Sequence, residues 1–115
     1  MVGKNLIKNM EYQKVLSLEG LVDYQEGQVV SRTLAQGKPL SVTLFAFDKG
    51  EEISSHASSG DALVYLLDGE AEITIGEEKY ILQKGETIIM PAGIPHALEA
   101  KEKFKMLLLV VFSLS

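Results

Sequence analysis

The stretch GETIIMPAGIPHALEA, from Gly85 to Ala100, carries the clearest structural signals in the chain. It begins with a glycine suited to a turn, continues through a short apolar segment and reaches Pro91-Ala92-Gly93. Proline cannot continue the hydrogen-bond ladder of a central strand, and glycine tolerates the left-handed backbone of tight turns. The stretch therefore predicts a strand that ends at a tight turn, with His96 close to that end.

A second stretch, GEEISSHASSGDALVYLLDG from Gly50 to Gly69, repeats this arrangement around His56. In both stretches a turn glycine precedes a short strand, and the histidine lies near the end of that strand. These two are the only histidines in the chain. An arbitrary histidine is most often a buried imidazole bonded to a neighbouring backbone group. The repeated context makes both histidines candidates for a functional site.

Turn signals recur along the chain and separate short segments rich in β-branched, aromatic and leucine side chains. They are Gly37-Lys38-Pro39, Asp48-Lys49-Gly50, Ser59-Gly60, Asp68-Gly69, Gly76-Glu77, Lys84-Gly85 and Pro91-Ala92-Gly93. Strands about 8–12 residues apart with glycine-rich turns are typical of an all-β sandwich or barrel. Asp68-Gly69 lies between two strand-like segments and predicts a hairpin turn.

The composition is that of one globular domain. The chain has 115 residues, 11 basic and 16 acidic, which gives a net charge of −5, and it has no cysteine. The lack of cysteine excludes disulfides and thiolate ligands, and the acidic balance disfavours nucleic acid as a partner. The apolar segment from Met106 to Phe112 is far short of the roughly 20 residues that span a membrane. The residues after Met1 do not show the basic segment followed by an apolar segment that marks a secretory signal peptide. We therefore expect a cytoplasmic protein that does not bind membranes.

The sequence pattern of residues 1–27 is less regular than that of residues 28–115, where the strand and turn signals lie. We therefore expect a barrel over residues 28–115, with residues 1–27 packed on it or on a partner subunit. The segment from Met106 to Phe112 is apolar on both faces, and a monomer would expose one of them. A homodimer is the favoured explanation, because two-fold self-association is the commonest kind. Coverage of that face by the N-terminal segment is the alternative.

The two histidine stretches resemble the two sequence motifs of the cupin superfamily. The second motif reads G-x5-P-x-G-x2-H-x3-N, and four of its five positions are matched by Gly85, Pro91, Gly93 and His96. The fifth position holds Ala100 instead of asparagine. The resemblance extends over about residues 40 to 112, and it implies a double-stranded β-helix, which is a jelly-roll barrel.

The first cupin motif reads G-x5-H-x-H-x(3,4)-E-x6-G and is matched less completely. Gly50, His56 and Gly69 fall in register, but Ser58 and Ala62 stand where cupins have the second histidine and the glutamate. In cupins the two motifs together supply three imidazoles and one carboxylate, which surround a metal ion such as Mn, Fe, Ni or Zn. The resemblance therefore implies a site of this kind with two of its four ligands missing.

Two interpretations of this reduced site remain open. In one, His56 and His96 bind a divalent metal (Fe, Mn, Ni or Zn) whose shell is completed by waters. In the other, His56, Ser58, Ala62 and His96 form a pocket without metal that binds a small molecule. Candidates for the remaining walls, or for ordinary core, are Phe45, Phe47, Tyr65, Met90 and Met106.

The resemblance leaves three functions open, and with them the question of whether the protein is an enzyme. We favour a small-molecule-binding cupin, because one histidine and the glutamate of the usual site are missing. The second is a metal-dependent oxygenase or isomerase that uses His56 and His96 with waters. The third is a metal-free epimerase or isomerase with a histidine base, and it needs an inward acid such as Tyr65 or Tyr80.

Overall fold

A computed structural model describes residues 6–113 and shows an almost entirely antiparallel β protein. A short 3₁₀ turn (Glu19–Leu21) precedes the strands. These are β1 (Val29–Gln36), β2 (Leu40–Phe47), β3 (Glu52–His56), β4 (Asp61–Ile75), β5 (Glu78–Gln83), β6 (Thr87–Met90), β7 (His96–Glu99) and β8 (Phe104–Val111). The expected all-β jelly-roll barrel is confirmed. Within the described range, no helix has the length and apolar character needed to cross a bilayer.

The strands form two facing sheets that share β4. Its first half pairs with β8 on one side and β6 on the other, which gives a large sheet in the order β1-β2-β8-β4-β6. Its second half pairs with β7 and β5, which gives a small sheet in the order β3-β7-β4-β5. A strand of 15 residues thus passes from one sheet into the other and holds the two together.

The hairpin predicted at Asp68-Gly69 is wrong, because both residues lie inside β4. The pairing of β4 with β8 shifts by one residue between Leu66 and Asp68, which marks a bulge. Gly69 follows with φ of 77°, in the left-handed region. A bulge with a left-handed glycine bends a strand, and here the bend redirects β4 from the large sheet into the small one. The same residues that make a hairpin turn also make such a bend.

Apolar side chains fill the space between the two sheets. The rings of Phe47 and Phe104 stack with their centroids 4.4 Å apart and their planes 15° from parallel. Both rings are fully buried, as are Leu66 and Ile73 from the two halves of β4. Aromatic and aliphatic burial of this extent provides most of the favourable free energy of folding.

Residues 6 to 28 pack across part of the outer face of the large sheet. Val22 is 3% exposed and belongs to an apolar cluster with Leu44 of β2, against which Leu107 of β8 also packs. The Tyr24 hydroxyl donates a hydrogen bond of 2.6 Å to Asp68, and Lys105 Nζ donates one of 2.7 Å to the Glu19 carbonyl. The N-terminal segment therefore covers the outer side of β8 at Leu107.

Substitution of Gly69 is expected to be far more costly than substitution of another left-handed glycine. A Cβ at Gly69 would collide with the Lys103 carbonyl, whereas a Cβ at Gly85, whose φ is 87°, would meet nothing within 4 Å. Left-handed backbone alone costs an L-residue about 1–2 kcal/mol. We expect Gly85→Ala to lower the free energy of unfolding by about that amount and Gly69→Ala by about 3 kcal/mol or more. Chemical denaturation measures both, and equal losses would contradict the close approach at the bend.

Candidate ligand pocket

A cavity of about 200 Å³ lies between the two sheets. All four residues predicted for the pocket line it, namely His56, Ser58, Ala62 and His96. Of the five candidates for its walls, Phe45, Met90 and Met106 line it, whereas Phe47 stacks on Phe104 in the core and Tyr65 is 39% exposed. The structure thus brings residues from four separate stretches of sequence to one partly open cavity.

Strand pairing explains why the two histidines meet. β3 and β7 are neighbours in the small sheet, and His56 is the direct partner of His96 across that pair. Ile53 is opposite Leu98 in the same pair, and both of these side chains line the cavity. From Ile53 to His56 the chain advances three positions on β3, whereas from Leu98 to His96 the partner strand covers only two. A bulge therefore lies between Ile53 and His56. Without this extra residue, simple alternation would turn His56 away from the face that Ile53 occupies.

The two imidazoles touch at the cavity, and each has a different environment. Their ring centroids are 4.5 Å apart and their planes meet at 69°, an edge-to-face arrangement. His56 is exposed, and its Nδ1 lies 3.1 Å from the Ser54 carbonyl oxygen. Because a carbonyl only accepts hydrogen bonds, Nδ1 of His56 donates, and in the neutral ring Nε2 is left as an acceptor.

His96 is the inner member of the pair. It is 3% exposed, and its Nδ1 is buried with no hydrogen-bond partner among residues 6–113. Burial lowers the pKa of His96, and repulsion from His56 lowers it further, while a backbone hydrogen bond between the ring and Ile94 raises it by less. His96 is therefore a neutral imidazole at pH 7.

The neighbours of the histidines supply little further polarity. Ser58 Oγ accepts a hydrogen bond of 3.1 Å from the Gly60 amide, and its hydroxyl proton remains available to donate. Ala62 is 2% exposed and contributes only a methyl group to the wall. Asp61 is exposed, and its carboxylate accepts a hydrogen bond of 2.8 Å from the Ala92 amide in the turn after β6. Asp61 thus organises that turn and does not replace the missing glutamate of the cupin site.

The donor set does not fit a four-ligand metal cage. Among residues 6–113, no group of three or more His, Cys, Asp or Glu side chains is placed to hold a metal ion. Two imidazoles bring no negative charge, and a metal ion would need several ligands from outside the protein to fill its shell. The side chains at the cavity therefore favour hydrogen bonding over metal coordination.

The tyrosines proposed as acids for a metal-free isomerase lie away from the cavity. Tyr65 and Tyr80 are 39% and 40% exposed, and neither lines it. The wall residues that the sequence did not single out are Ile53, Leu98, Leu108 and Val110. Their sequence segments are apolar, but only the strand register shows which of their side chains point inward.

The fold and the two-histidine geometry agree with comparisons to known proteins. A family model described as a cupin domain matches residues 43–112, which is more than half of the chain, so the protein belongs to the cupin family. An uncharacterized protein of Streptomyces coelicolor is 32% identical over 74 residues, which are 64% of this chain and 70% of that protein.

Two solved structures are similar to almost the whole chain. A conserved protein of unknown function from Streptococcus pyogenes superposes with a TM-score of 0.96 at 50% identity, covering 99% of this chain and 100% of that one. A cupin superfamily protein from Desulfitobacterium hafniense gives a TM-score of 0.89 at 36% identity, covering 93% and 98% of the two chains. These similarities define the family and the fold, and they assign no activity.

The buried state of His96 predicts a loss of stability in mild acid. Burial holds the folded-state pKa of His96 below 6.5, its ordinary value, so the unfolded chain binds this proton first as the pH falls. The free energy of unfolding should therefore decrease as the pH drops below about 6.5, by at most about 1.4 kcal/mol per pH unit. Chemical denaturation between about pH 7.5 and 5 measures this slope.

The matched variants assign this loss to His96. His96→Leu should remove the decrease, whereas His56→Ala should keep most of it. Asp48 and Glu72 have lowered pKa values, so their contributions are lost below 3.8 and 4.5, outside this range. A His96→Leu variant that keeps the full slope would contradict the assignment.

Proposed function

We propose that this cupin binds a small organic molecule in the cavity between its sheets and does so without a bound metal. The observation that carries the proposal is the convergence of three polar side chains, His56, Ser58 and His96, on one cavity between the sheets.

The walls support the same function. Most of the side chains that line the cavity are apolar, and the polar ones are His56, Ser58 and His96. An apolar cavity with a few convergent polar groups is the usual form of a small-molecule site. The alternative of a metal-dependent oxygenase or isomerase requires a metal held by His56 and His96 alone, and the donor set disfavours it.

Methyl NMR of the methionines tests the proposal directly. Met90 and Met106 line the cavity, whereas Met10 packs on the outer cluster under the N-terminal segment and is an internal control. In a screen of neutral molecules that fit about 200 Å³, a ligand should shift the Met90 and Met106 methyl signals and leave Met10 unchanged. His56→Ala and His96→Ala should remove this binding while the remaining methyl spectrum stays that of the folded barrel.

Metal removal is the matching control. Protein purified without an affinity tag should contain less than about a tenth of an equivalent of Fe, Mn, Ni or Zn, and EDTA should not change ligand binding. Stoichiometric metal, with binding lost on chelation, would replace this proposal with the metal-dependent alternative. Normal binding by both alanine variants would show that the histidines do not form the pocket.

We also propose that the protein forms a homodimer through the outer face of its large sheet. Strand register places one row of apolar side chains across four adjacent strands: Ile89, Leu63, Leu109 and Val42. Their inward neighbours Met90, Ala62, Leu108 and Val110 line the cavity, so this row faces outward. Ile89 is 56% exposed, and Val111, on the same face of β8, is 52% exposed. Val42 at one end of the row packs against the cluster under the N-terminal segment, and the exposed apolar part beyond it suits an isologous two-fold contact.

Two isoleucines with similar exposure give a matched test of the dimer. Ile89→Lys places a charge in the proposed interface, whereas Ile81→Lys places one on β5 of the small sheet, where Ile81 is 53% exposed. Light scattering after size exclusion should give a dimer mass for the wild type and for Ile81→Lys, and a monomer mass for Ile89→Lys. A monomeric wild type, or a dimeric Ile89→Lys variant, would overturn the interface.

A further inference from the structure

We propose that the cavity continues into a second binding surface on the inner face of β1 and β2, and that the two together take a small molecule with an apolar end and an uncharged, hydroxyl-rich end, such as an aryl glycoside. The second surface consists of Ser31, Thr33, Ser41 and Thr43, and we call it the hydroxyl shelf. The inference rests on the proposed function and names the chemical class of its ligand, with the apolar end in the cavity and the polar end on the shelf.

The cavity is partly open, and its open side faces β2. Among the lining residues of the large sheet, Ala62 on β4 and Met90 on β6 are 2% and 1% exposed. Phe45 on β2 is only half-buried, and His56 on the facing small sheet is exposed. Because the wall is closed at β4 and β6 and open at β2, a ligand larger than the cavity extends over β2 and its neighbour β1.

Strand register places the β2 part of the hydroxyl shelf directly beside the cavity wall. Thr43 is the cross-strand partner of Leu108, and Ser41 is the partner of Val110. Leu108 and Val110 both line the cavity. Paired residues of antiparallel strands have their side chains on the same face, with Cβ atoms about 4.5–5.5 Å apart. The hydroxyls of β2 therefore continue the wall that β8 provides.

The β1 part of the shelf extends the same surface by one more strand. Ser31 is opposite Phe45, which lines the cavity, and Thr33 is opposite Thr43. Along both strands the inner face thus changes from apolar side chains at the core to hydroxyls at the open side. A ligand that follows this face passes from an apolar to a polar environment.

The four shelf hydroxyls are available to a ligand. Ser31 is exposed, and Thr33, Ser41 and Thr43 are half-buried. Within the part of the chain that the structure describes, none of their hydroxyl groups has a hydrogen-bond partner in the protein. The hydrogen bond from Asn9 to Thr33 uses the backbone carbonyl of Thr33. Because each hydroxyl both donates and accepts, the shelf matches a group that does the same at several positions, as a sugar does.

The shelf carries no charge, unlike the outer face of the small sheet. On that outer face Glu72 forms ion pairs of 2.8 Å with Lys101 and 3.5 Å with Lys79. Arg32 is the one charged residue of β1 and β2, and its partner Leu44 belongs to the outer cluster, so Arg32 faces away from the shelf. A carboxylate or phosphate would lose hydration on the shelf without meeting a cation, which favours an uncharged polar end.

Three probes test the inference on the full chain. Phenyl β-glucoside carries both ends, anisole carries the apolar end alone, and glucose carries the polar end alone. In methyl NMR, Met90 and Met106 report on the cavity and Thr33 and Thr43 report on the shelf, while Thr74, between inward-facing residues of β4, is the outer-face control. The glucoside should shift both sets of signals and leave Thr74 unchanged, whereas anisole should shift the two methionines. The glucoside should bind at least about fivefold more tightly than either part.

Removal of shelf hydroxyls should weaken binding of the glucoside alone. Thr43→Val keeps the shape of the side chain, and in combination with Ser41→Ala it should raise the Kd of phenyl β-glucoside at least about fivefold while the Kd of anisole stays unchanged. Thr74→Val makes the same chemical change on the outer face and should alter neither Kd. The wild-type shifts of Thr33 and Thr43 test the contact even where the double variant fails to fold.

The outcomes separate this inference from the proposed function. Shifts of Met90 and Met106 without shifts of Thr33 and Thr43, a glucoside no tighter than anisole or glucose, or a double variant that binds it like the wild type would overturn the shelf and leave the pocket standing. No shift of the two methionines with the glucoside and anisole, alongside a positive result from the wider screen, would overturn the ligand class alone. A negative screen as well would remove the proposed function itself.

Discussion

The barrel depends on one strand that is shared between two sheets. β4 pairs with β8 and β6 before its bulge and with β7 and β5 after it, so its bend sets the angle at which the sheets face each other. The bend is possible because residue 69 has no side chain where the Lys103 carbonyl approaches. The cavity and the meeting of the two histidines both follow from this closure, since β7 reaches His56 only from its place beside β4.

The pocket shows what remains when a metal-binding barrel lacks half of its usual ligands. With Ser58 and Ala62 in place of an imidazole and a carboxylate, the cavity has no negative charge and three polar side chains. Under the proposed function, the same pair of histidine positions serves for hydrogen bonding instead of metal coordination. A neutral imidazole in an apolar cavity is a directional hydrogen-bonding group.

The sequence predicted the barrel and the shared position of the histidines because both depend on short-range spacing. Turn glycines and Pro91 limit where strands end, and each histidine lies at a fixed distance from one of them. The features that it could not predict depend on register between distant strands. The bulge before His56 reverses the side to which that residue points, and the bulge near Gly69 converts an apparent hairpin into a continuous strand. Neither has a signal in local alternation, because a single extra residue is visible only against its partner strand.

The position of β8 has a consequence for how the protein is made. β8 is the last strand along the chain, yet it lies between β2 and β4 in the middle of the large sheet. On the ribosome, β2 and β4 emerge well before the strand that joins them, and until then their facing edges lack hydrogen-bond partners. Exposed strand edges in nascent chains invite pairing with other chains. Until β8 is made, these two edges are therefore the part of the large sheet most open to pairing with other chains.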